Sequence, residues 1–404
     1  MRNRKRRSAI GLVIQRLLPF AACAAFLSLT GCWDGEEVNG LAIVTSAGFD
    51  RTEDGAVELT LEIAAPKQEE SGGKSSGGKQ QGGGQTLIRS AAGETVGDAV
   101  NKLQTMLPRT IYWGQLEVLI FGEALAKDGF REQLDYLLRD NEVRLRVLPF
   151  ITRGKVRDFF NSPYLLEQTK ADLLEGEAVR AFNKPLTLNK LVQRLNGEEE
   201  TAILPYIDVP EQGGGGTGDT HIKGYAVFNR GRMVGTLTGD LFPGTKWVNN
   251  QLKRDVETIE LEGTSPSRIS LMVIASDTRL VPSRKEGEWQ MGIRISSELS
   301  IVQNTTRLVV SEPKHIHEIE AAMADHIRET VEQTVKESQR MRTDIFNFGQ
   351  AINRKSPRAW KELQANWEQF FPGMEVQVAV DVSVRRIGMN RFPASLPEKE
   401  RPKR

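Results

Sequence analysis

The chain has 404 residues, of which 39% are hydrophobic and 26% are charged. This length predicts two or three domains. The composition excludes a wholly disordered chain and a multi-span membrane protein. The two cysteines, Cys23 and Cys32, lie in the first 32 residues, which excludes a disulfide framework and a cysteine-based metal site in the rest. Six of the 54 basic residues but none of the 53 acidic residues lie in residues 1–31, so the rest of the chain is mildly acidic and is not expected to bind nucleic acid.

Residues 1–31 have the pattern of a bacterial secretion signal. A basic start, Met1–Arg7, is followed by an apolar run, Leu17–Leu29, which is too short for a transmembrane helix. The run closes with Leu29-Thr30-Gly31-Cys32, a branched apolar residue, two small residues and a cysteine, which is the lipobox pattern of bacterial lipoproteins. We therefore predict signal cleavage between Gly31 and Cys32.

The predicted lipidation site is the thiol of Cys32, which receives a diacylglycerol. Cys23 does not fit the pattern, because the aromatic Phe20 stands three residues before it, and it is expected to leave with the signal. Two acyl chains, such as palmitate, hold a protein stably on a bilayer where one does not. We predict a chain anchored to the extracytoplasmic face of a membrane through Cys32. The alternative is an uncleaved anchor, or an ordinary signal with a chance cysteine.

Low-complexity segments divide the mature chain. Residues 71–85, SGGKSSGGKQQGGGQ, are predicted as a flexible Gly/Ser insertion in an N-terminal domain of residues 32–210. Residues 211–218, EQGGGGTG, are predicted as a Gly-rich linker to a C-terminal domain of residues 219–390. Residues 391–404 are predicted as a basic tail.

Apolar periodicity predicts alternating strands and helices in the N-terminal domain. A hairpin is expected from the strand Leu41–Val44, a turn at Asp54-Gly55 and a half-buried strand with Val57, Leu59, Leu61 and Ile63. The later elements are a helix with Val96, Val100, Leu103 and Leu107, a strand at Leu116–Phe121, a helix around Glu123–Arg139, a strand with Val143, Leu145 and Val147, and a helix with Leu188, Leu191, Val192 and Leu195.

The C-terminal domain is predicted to open with a hairpin, Ile222–Phe228 and Met233–Leu237. The later elements are strands near 269–275 and 290–302, an amphipathic helix from Ile316 to Val335, a shorter helix with Trp360, Leu363 and Trp367, and a strand with a valine at every second position from Val376 to Val384. The mixture indicates the α+β class, with lobes of mixed or antiparallel β-sheet flanked by helices. It lacks the regular βαβ rhythm of a doubly wound fold.

No motif indicates catalysis. Residues 73–79, GKSSGGK, nearly spell a phosphate-binding loop, but Gln80 replaces the Ser or Thr that would bind magnesium. His315, His317 and His326 lack the i, i+4 spacing of a metal site. A pair of catalytic carboxylates is neither supported nor dismissed by the sequence. We predict no catalytic residue, no metal site and no cofactor, and a protein that is not an enzyme.

Several motifs follow one another in a characteristic order. They are Cys32-Trp33-Asp34, Leu41-Ala42-Ile43-Val44-Thr45, Tyr112-Trp113-Gly114-Gln115-Leu116, Phe150-Ile151-Thr152-Arg153-Gly154-Lys155, Gly224-Tyr225-Ala226-Val227-Phe228 and Phe348-Gly349-Gln350-Ala351-Ile352. Together with the lipobox, this set resembles the Ger(x)C spore germination lipoproteins, the C subunits of nutrient germinant receptors. The resemblance covers nearly the whole mature chain.

The resemblance implies three lobes with mixed sheets, partnership with integral membrane A- and B-type receptor subunits, and no catalytic activity. We therefore expect a lipid-anchored, extracytoplasmic subunit of a nutrient germinant receptor at the spore inner membrane, with a role in assembly or signalling. The alternative is a solute-binding lipoprotein that delivers a small ligand to a membrane transporter. That class usually has doubly wound lobes and a hinge, which this pattern lacks.

Overall fold

The computed structural model describes residues 38–65, 86–162, 167–197, 200–208, 220–261, 268–306 and 308–386. The predicted signal, the lipidation site Cys32, the insertion at 71–85, the linker at 211–218 and the tail at 391–404 lie outside the described residues. What the sequence predicts for these segments stays a prediction.

The described residues form thirteen β-strands and eleven α-helices. In chain order, the strands are β1 (Leu41–Arg51), β2 (Val57–Ala64), β3 (Thr86–Gly93), β4 (Thr110–Tyr112), β5 (Val118–Gly122), β6 (Leu148–Thr152), β7 (Thr201–Ile207), β8 (Ile222–Asn229), β9 (Arg232–Thr238), β10 (Val256–Glu260), β11 (Arg268–Lys285), β12 (Glu288–Asn304) and β13 (Val376–Arg386). The helices are α1 (Val96–Thr105), α2 (Glu123–Asp128), α3 (Arg131–Arg139), α4 (Val156–Asn161), α5 (Lys170–Ala181), α6 (Leu188–Leu195), α7 (Leu241–Val248), α8 (Pro313–Arg340), α9 (Phe348–Lys355), α10 (Pro357–Leu363) and α11 (Trp367–Phe370).

Strands β1 to β9 form one mixed sheet, in the order β3-β2-β1-β5-β6-β7-β8-β9, with β4 beside β1. The pairs β1–β5, β5–β6 and β6–β7 are parallel, whereas β2–β3, β1–β2, β7–β8 and β8–β9 are antiparallel. The predicted hairpin of β1 and β2 is confirmed, with Phe49 opposite Leu59. The α+β class with mixed sheets is confirmed as well.

Helices cover both faces of this sheet. On one face, the ring of Phe121 stacks on Phe49 at a centroid distance of 5.7 Å and on Phe130, just before α3, at 4.4 Å. On the other face, a Cβ atom at Gly48 would lie 2.0 Å from Cγ1 of Val156, so α4 packs directly on β1. Because both faces are covered, β2 is buried on both sides and is not the half-buried strand that its alternation predicts.

Three further predicted elements differ from the structure. The helix expected to contain Trp360, Leu363 and Trp367 is interrupted, since α10 ends at Leu363 and α11 begins at Trp367. The helix expected over 123–139 is two helices, because the chain turns at Gly129 with φ 107°. The strand expected at 143–147 is wrong, since β6 begins only at Leu148. The carbonyl oxygens of Leu145 and Val147 accept hydrogen bonds from the backbone N–H groups of Asn189 and Leu188 at the start of α6, so this segment pairs with a helix start and not with a strand.

The second sheet has the order β10-β11-β12-β13. Strands β11 and β12 form a long antiparallel hairpin, and β13 runs parallel to β12. The predicted amphipathic helix is confirmed as α8, whose buried residues include Ile319, Met323, Ile327 and Val331. The valine strand is confirmed as β13.

Helix α7 connects the two sheets. It contacts β8 and β9 of the first sheet and β11 and β12 of the second. Gly244 allows α7 to approach α8, because a Cβ atom there would lie 2.0 Å from Oγ1 of Thr334. One continuous hydrophobic cluster includes Val118 of β5 and Ile293 of β12. The first sheet therefore contains strands from both sides of residues 211–218, and the two sheets share one core.

Candidate functional site

The residue that the sequence predicts to be modified, Cys32, lies outside the described residues, which begin at Val38. None of the helices in the described part of the chain combines the length and the apolar character needed to cross a membrane. Within the described residues, the notable polar features are buried acidic side chains at the amino ends of helices and a polar cleft at one edge of the first sheet.

Glu62 is a fully buried carboxylate on β2, the second strand of the first sheet. Its Oε1 accepts the backbone N–H of Lys170 at 2.8 Å, and its Oε2 accepts the N–H of Ala171 at 3.3 Å and the hydroxyl of Ser46 at 2.7 Å. The two N–H groups belong to the first turn of α5, where helical N–H groups lack intrahelical partners and the helix dipole favours a negative charge. Glu62 therefore fixes α5 on the hairpin of β1 and β2.

The side chain of Lys170 is buried beside this carboxylate. Its Nζ donates to the Ser162 hydroxyl at 2.8 Å and lies 4.7 Å from the ring centroid of Phe159. Burial lowers the pKa of Lys170 to about 8, and the charge of Glu62 opposes that shift. An amine with such a pKa is a candidate nucleophile, but this one is enclosed by the core and stabilises the packing of α4 and α5.

Asp50 repeats the arrangement at a second helix. Its Oδ2 accepts the backbone N–H of Val156, the first residue of α4, at 2.7 Å. Its Oδ1 lies against Gly122, where a Cβ atom would be only 1.9 Å from it. Burial raises the pKa of Asp50 to about 6, with a smaller contribution from the charge of Glu58, while the hydrogen bond from Val156 lowers it. The carboxyl is therefore harder to ionise in the folded chain than in the unfolded one.

We expect Asp50→Asn to stabilise the protein at neutral pH. A carboxyl whose pKa is raised by folding stabilises the folded protein at pH values below the pKa of the unfolded state, near 3.9. That contribution is lost as the pH rises through the folded pKa of about 6. Two pKa units correspond to about 3 kcal/mol, and asparagine still offers an oxygen to Val156. Urea unfolding should therefore show a higher free energy of unfolding for the variant at pH 7.5 and a much smaller difference at pH 4.5. An equal effect at both pH values would contradict the assignment.

Asp344 provides the matched comparison. Burial raises its pKa to about 6 as well, but both of its oxygens are engaged: Oδ1 accepts the N–H of Phe346 at 3.2 Å and Oδ2 that of Gly349 at 2.9 Å. An asparagine here would place an amide NH₂ against one of these N–H groups. Asp344→Asn should show the same dependence on pH, because the pKa of Asp344 is raised as well, but it should be less favourable than Asp50→Asn by about 1–3 kcal/mol at each pH value.

A polar cleft lies at the carboxyl ends of the parallel strands, where ligands commonly bind in open α/β sheets. Arg153 follows β6 and Asp208 follows β7, and together with Tyr206 and Lys223 they line a cavity of about 450 Å³. The Tyr206 hydroxyl donates to Oε2 of Glu123 at 2.6 Å, and burial followed by this bond raises the pKa of Tyr206 above its ordinary value. The cleft offers both signs of charge to a small polar molecule.

No group of three or more His, Cys, Asp or Glu side chains placed to hold a metal ion occurs among the described residues. Nδ1 of His315 lies 3.1 Å from the carbonyl oxygen of Val309. Nε2 of His326 lies 3.7 Å from Glu257, whose hydrogen bond raises the pKa of His326. His317 is exposed on α8. The phosphate-loop-like residues 73–79 lie outside the described part.

Sequence reasoning missed the buried polar residues. One local signal was present, because Thr169 and Asp172 form a capping box at the start of α5. Glu62 and Asp50 carry no such signal, since the N–H groups that they accept are 108 and 106 positions further along the chain. Only the tertiary fold brings these groups together.

Comparison with known proteins gives a consistent result. Residues 34–209 match the family described as spore germination protein N-terminal domain, and residues 223–388 match the family described as spore germination B3/GerAC like, C-terminal. YfkR of Bacillus subtilis (strain 168) is 28% identical over 376 residues, which cover 92% of this chain and 96% of YfkR. Spore germination protein KC of the same organism is 26% identical over 405 residues, covering 95% and 98%.

A solved structure shares the fold. The crystal structure of the GerBC protein superposes with a TM-score of 0.56, covering 84% of this chain and 96% of GerBC, at 18% sequence identity. At this level of identity the likeness concerns the fold alone. It extends across both sheets of the chain and is not restricted to one of them.

Proposed function

Because this chain belongs to the GerAC-like family of spore germination proteins, which assigns it a role in spore germination, we propose that it is the lipid-anchored, extracytoplasmic subunit of a nutrient germinant receptor. The observation that carries the proposal is the order of features along one chain. A lipobox ending at Cys32 is followed directly by the N-terminal family domain and then by the C-terminal one.

The proposed partners are integral membrane subunits of the A and B types. Relatives of this chain include spore germination proteins named A3 and B3 of Bacillus subtilis and GerQC of Bacillus cereus. The anchor would hold the body beside these partners at the spore inner membrane, at a high effective concentration. Even a weak interface is then occupied.

The proposed role is assembly or signalling, without catalysis. The buried acids support this view, because Glu62 and Asp50 are used to position helices and lie in the core. Lys170 is equally buried. A substrate cannot reach groups that are enclosed in this way.

Gene deletion combined with detergent extraction tests the proposal. Deletion should abolish or slow germination with one class of nutrient while growth and sporulation continue. Detergent extraction of spore membranes should recover the protein together with two integral membrane proteins. Normal germination of the deletion strain with every nutrient would contradict the proposal, as would recovery of the protein without membrane partners.

The polar cleft at Arg153, Tyr206, Asp208 and Lys223 supports the solute-capture alternative. Calorimetry of the protein with amino acids and sugars distinguishes the two functions. A receptor subunit that acts through its membrane partners should show no heat of binding. Micromolar binding of one solute, with normal germination in the deletion strain, would favour the solute-binding lipoprotein.

A further inference from the structure

An exposed leucine interrupts an otherwise buried apolar pattern. Val143 and Val147 are buried, but Leu145 between them is 46% exposed, and it stands between two exposed arginines, Arg144 and Arg146. The backbone causes this reversal, because the carbonyl groups of residues 145 and 147 bond to the start of α6. The result is an apolar side chain presented to solvent with a cation on either side.

The position of this segment in the fold follows from the parallel strands. The backbone N–H of Glu117 donates to the carbonyl of Thr45 at 2.9 Å, and the N–H of Leu148 donates to the carbonyl of Glu117 at 2.9 Å. The amino ends of β1, β5 and β6 therefore lie in one row. Residues 143–147 lead directly into β6, so they lie at the sheet edge where the chain enters β1.

The length of the intervening chain limits how far the predicted lipid anchor can be from the start of β1. Ten residues lie between Cys32 and Ile43, and the eleven steps from one to the other span at most about 40 Å in a fully extended chain. A body tethered through Cys32 can therefore rest this edge on the bilayer within the length of its tether. This step rests on the anchoring that we propose above.

The charge around Leu145 matches an anionic surface. Asn189 donates its N–H to the carbonyl of Leu145 at 3.0 Å, which places the exposed Lys190 of α6 beside Arg144 and Arg146. Within the described residues, none of these three cations forms an ion pair with an acidic side chain. The acids near them include Glu117 and Glu142, which are half-buried, and Glu175, which is exposed and neighbours Glu117.

The structure shows the neighbours of two of those acids, Glu142 and Glu117. The Glu142 carboxylate accepts the backbone N–H of Trp113 at 2.9 Å. The pKa of Glu117 is raised by burial and by neighbouring acids, and Arg146 opposes the rise. Neither acid forms a direct ion pair with Arg144, Arg146 or Lys190 in the described part of the chain, so the charged groups of these three side chains are open to lipid phosphates.

We propose that residues 143–147 and the first turn of α6 are the membrane-facing surface of the protein, and that they contact anionic phospholipid. Leu145 enters the headgroup region, and Arg144, Arg146 and Lys190 contact lipid phosphates. A bilayer is the favoured occupant because one leucine with three cations is far smaller than a stable protein–protein interface. A tethered protein needs no larger contact, since the anchor provides the affinity.

A fluorescent probe tests this orientation. The full chain is processed to its lipidated form and reconstituted in phosphatidylcholine vesicles with or without phosphatidylglycerol. An environment-sensitive dye is attached through Leu145→Cys, and in a matched protein through Val234→Cys on β9, because Val234 is also 46% exposed. The mature chain has no other free thiol if Cys32 is acylated and Cys23 is removed.

We expect the dye at 145 to shift to shorter wavelength and to be quenched by nitroxide lipids at least about twofold more than the dye at 234 in anionic vesicles. Arg144→Glu with Arg146→Glu should reduce that difference, as should vesicles without phosphatidylglycerol. Because Leu145 is exposed, urea unfolding should show the labelled variant to be as stable as the parent.

The outcomes separate the two proposals. If the protein does not float with the vesicles, the lipid anchor is wrong. If the protein floats but the dye at 145 has the same emission wavelength and quenching as the dye at 234, the proposed membrane-facing surface is wrong, while the anchor proposal stands. If the dye at 145 changes only when integral membrane partners are reconstituted, the segment is a protein interface and the proposal is overturned.

Discussion

Replacing Glu62 by alanine is expected to lower the free energy of unfolding by about 3–5 kcal/mol, the range observed when one partner of a buried charged group is removed. The variant leaves the N–H groups of Lys170 and Ala171 and the hydroxyl of Ser46 without their acceptor. It also leaves the buried ammonium of Lys170 without the nearby negative charge that opposes the lowering of its pKa.

Glu58→Ala is the matched control. Glu58 lies on the same strand, four residues earlier, and pairs with the half-exposed Arg157 at 3.2 Å. Because Arg157 is half-exposed, the pair is screened by solvent and contributes about 1 kcal/mol, so this variant should lose much less stability than Glu62→Ala. Equal losses for Glu62→Ala and Glu58→Ala would show that Glu62 does not fix α5.

The double variant Glu62→Gln with Lys170→Met sharpens the test. It removes both buried charges, keeps an acceptor oxygen for the helix, and should be less destabilised than Glu62→Ala, since an unpaired buried charge is costlier than a neutral pair. A double variant that is less stable than Glu62→Ala would show that packing, and not charge, dominates at this site.

The elements that the sequence predicts well are those whose signal is local. The hairpin of β1 and β2, helix α8 and strand β13 each repeat apolar residues at the period of their own geometry. The prediction for Cys32 also rests on a local signal, because the lipobox is four consecutive residues, and it stays a prediction.

The elements that the sequence predicts poorly depend on distant partners. The pattern Val143, Leu145, Val147 has the period of a strand, but backbone N–H groups of α6 bond to this segment more than 40 residues away. Glu62 alternates with apolar residues as a solvent-facing residue would, yet α4 and α5 cover that face of the sheet. A sheet covered on both sides removes the polar face that alternation assumes.

Replacing Cys32 by serine should abolish the nutrient response. Each buried methylene of an acyl chain stabilises membrane binding by about 0.8 kcal/mol, so two acyl chains hold the protein on the bilayer. A protein without acyl chains lacks this stabilisation. Serine has no thiol to receive the diacylglycerol. Mass spectrometry of washed spore membranes should find a lipid-modified peptide beginning at Cys32 in the parent and none in the variant, and germination with the affected nutrient should fail.

Cys23→Ser is the control that the chain itself provides. Cys23 lies within the apolar run of the predicted signal and is expected to be removed, so its replacement should change neither the lipidated peptide nor germination. The described body should remain folded in both variants, because Cys32 precedes its first residue, Val38. A parent protein that still carries residues 1–31 without lipid, or a Cys32→Ser strain that germinates normally, would show that the anchor does not depend on this residue.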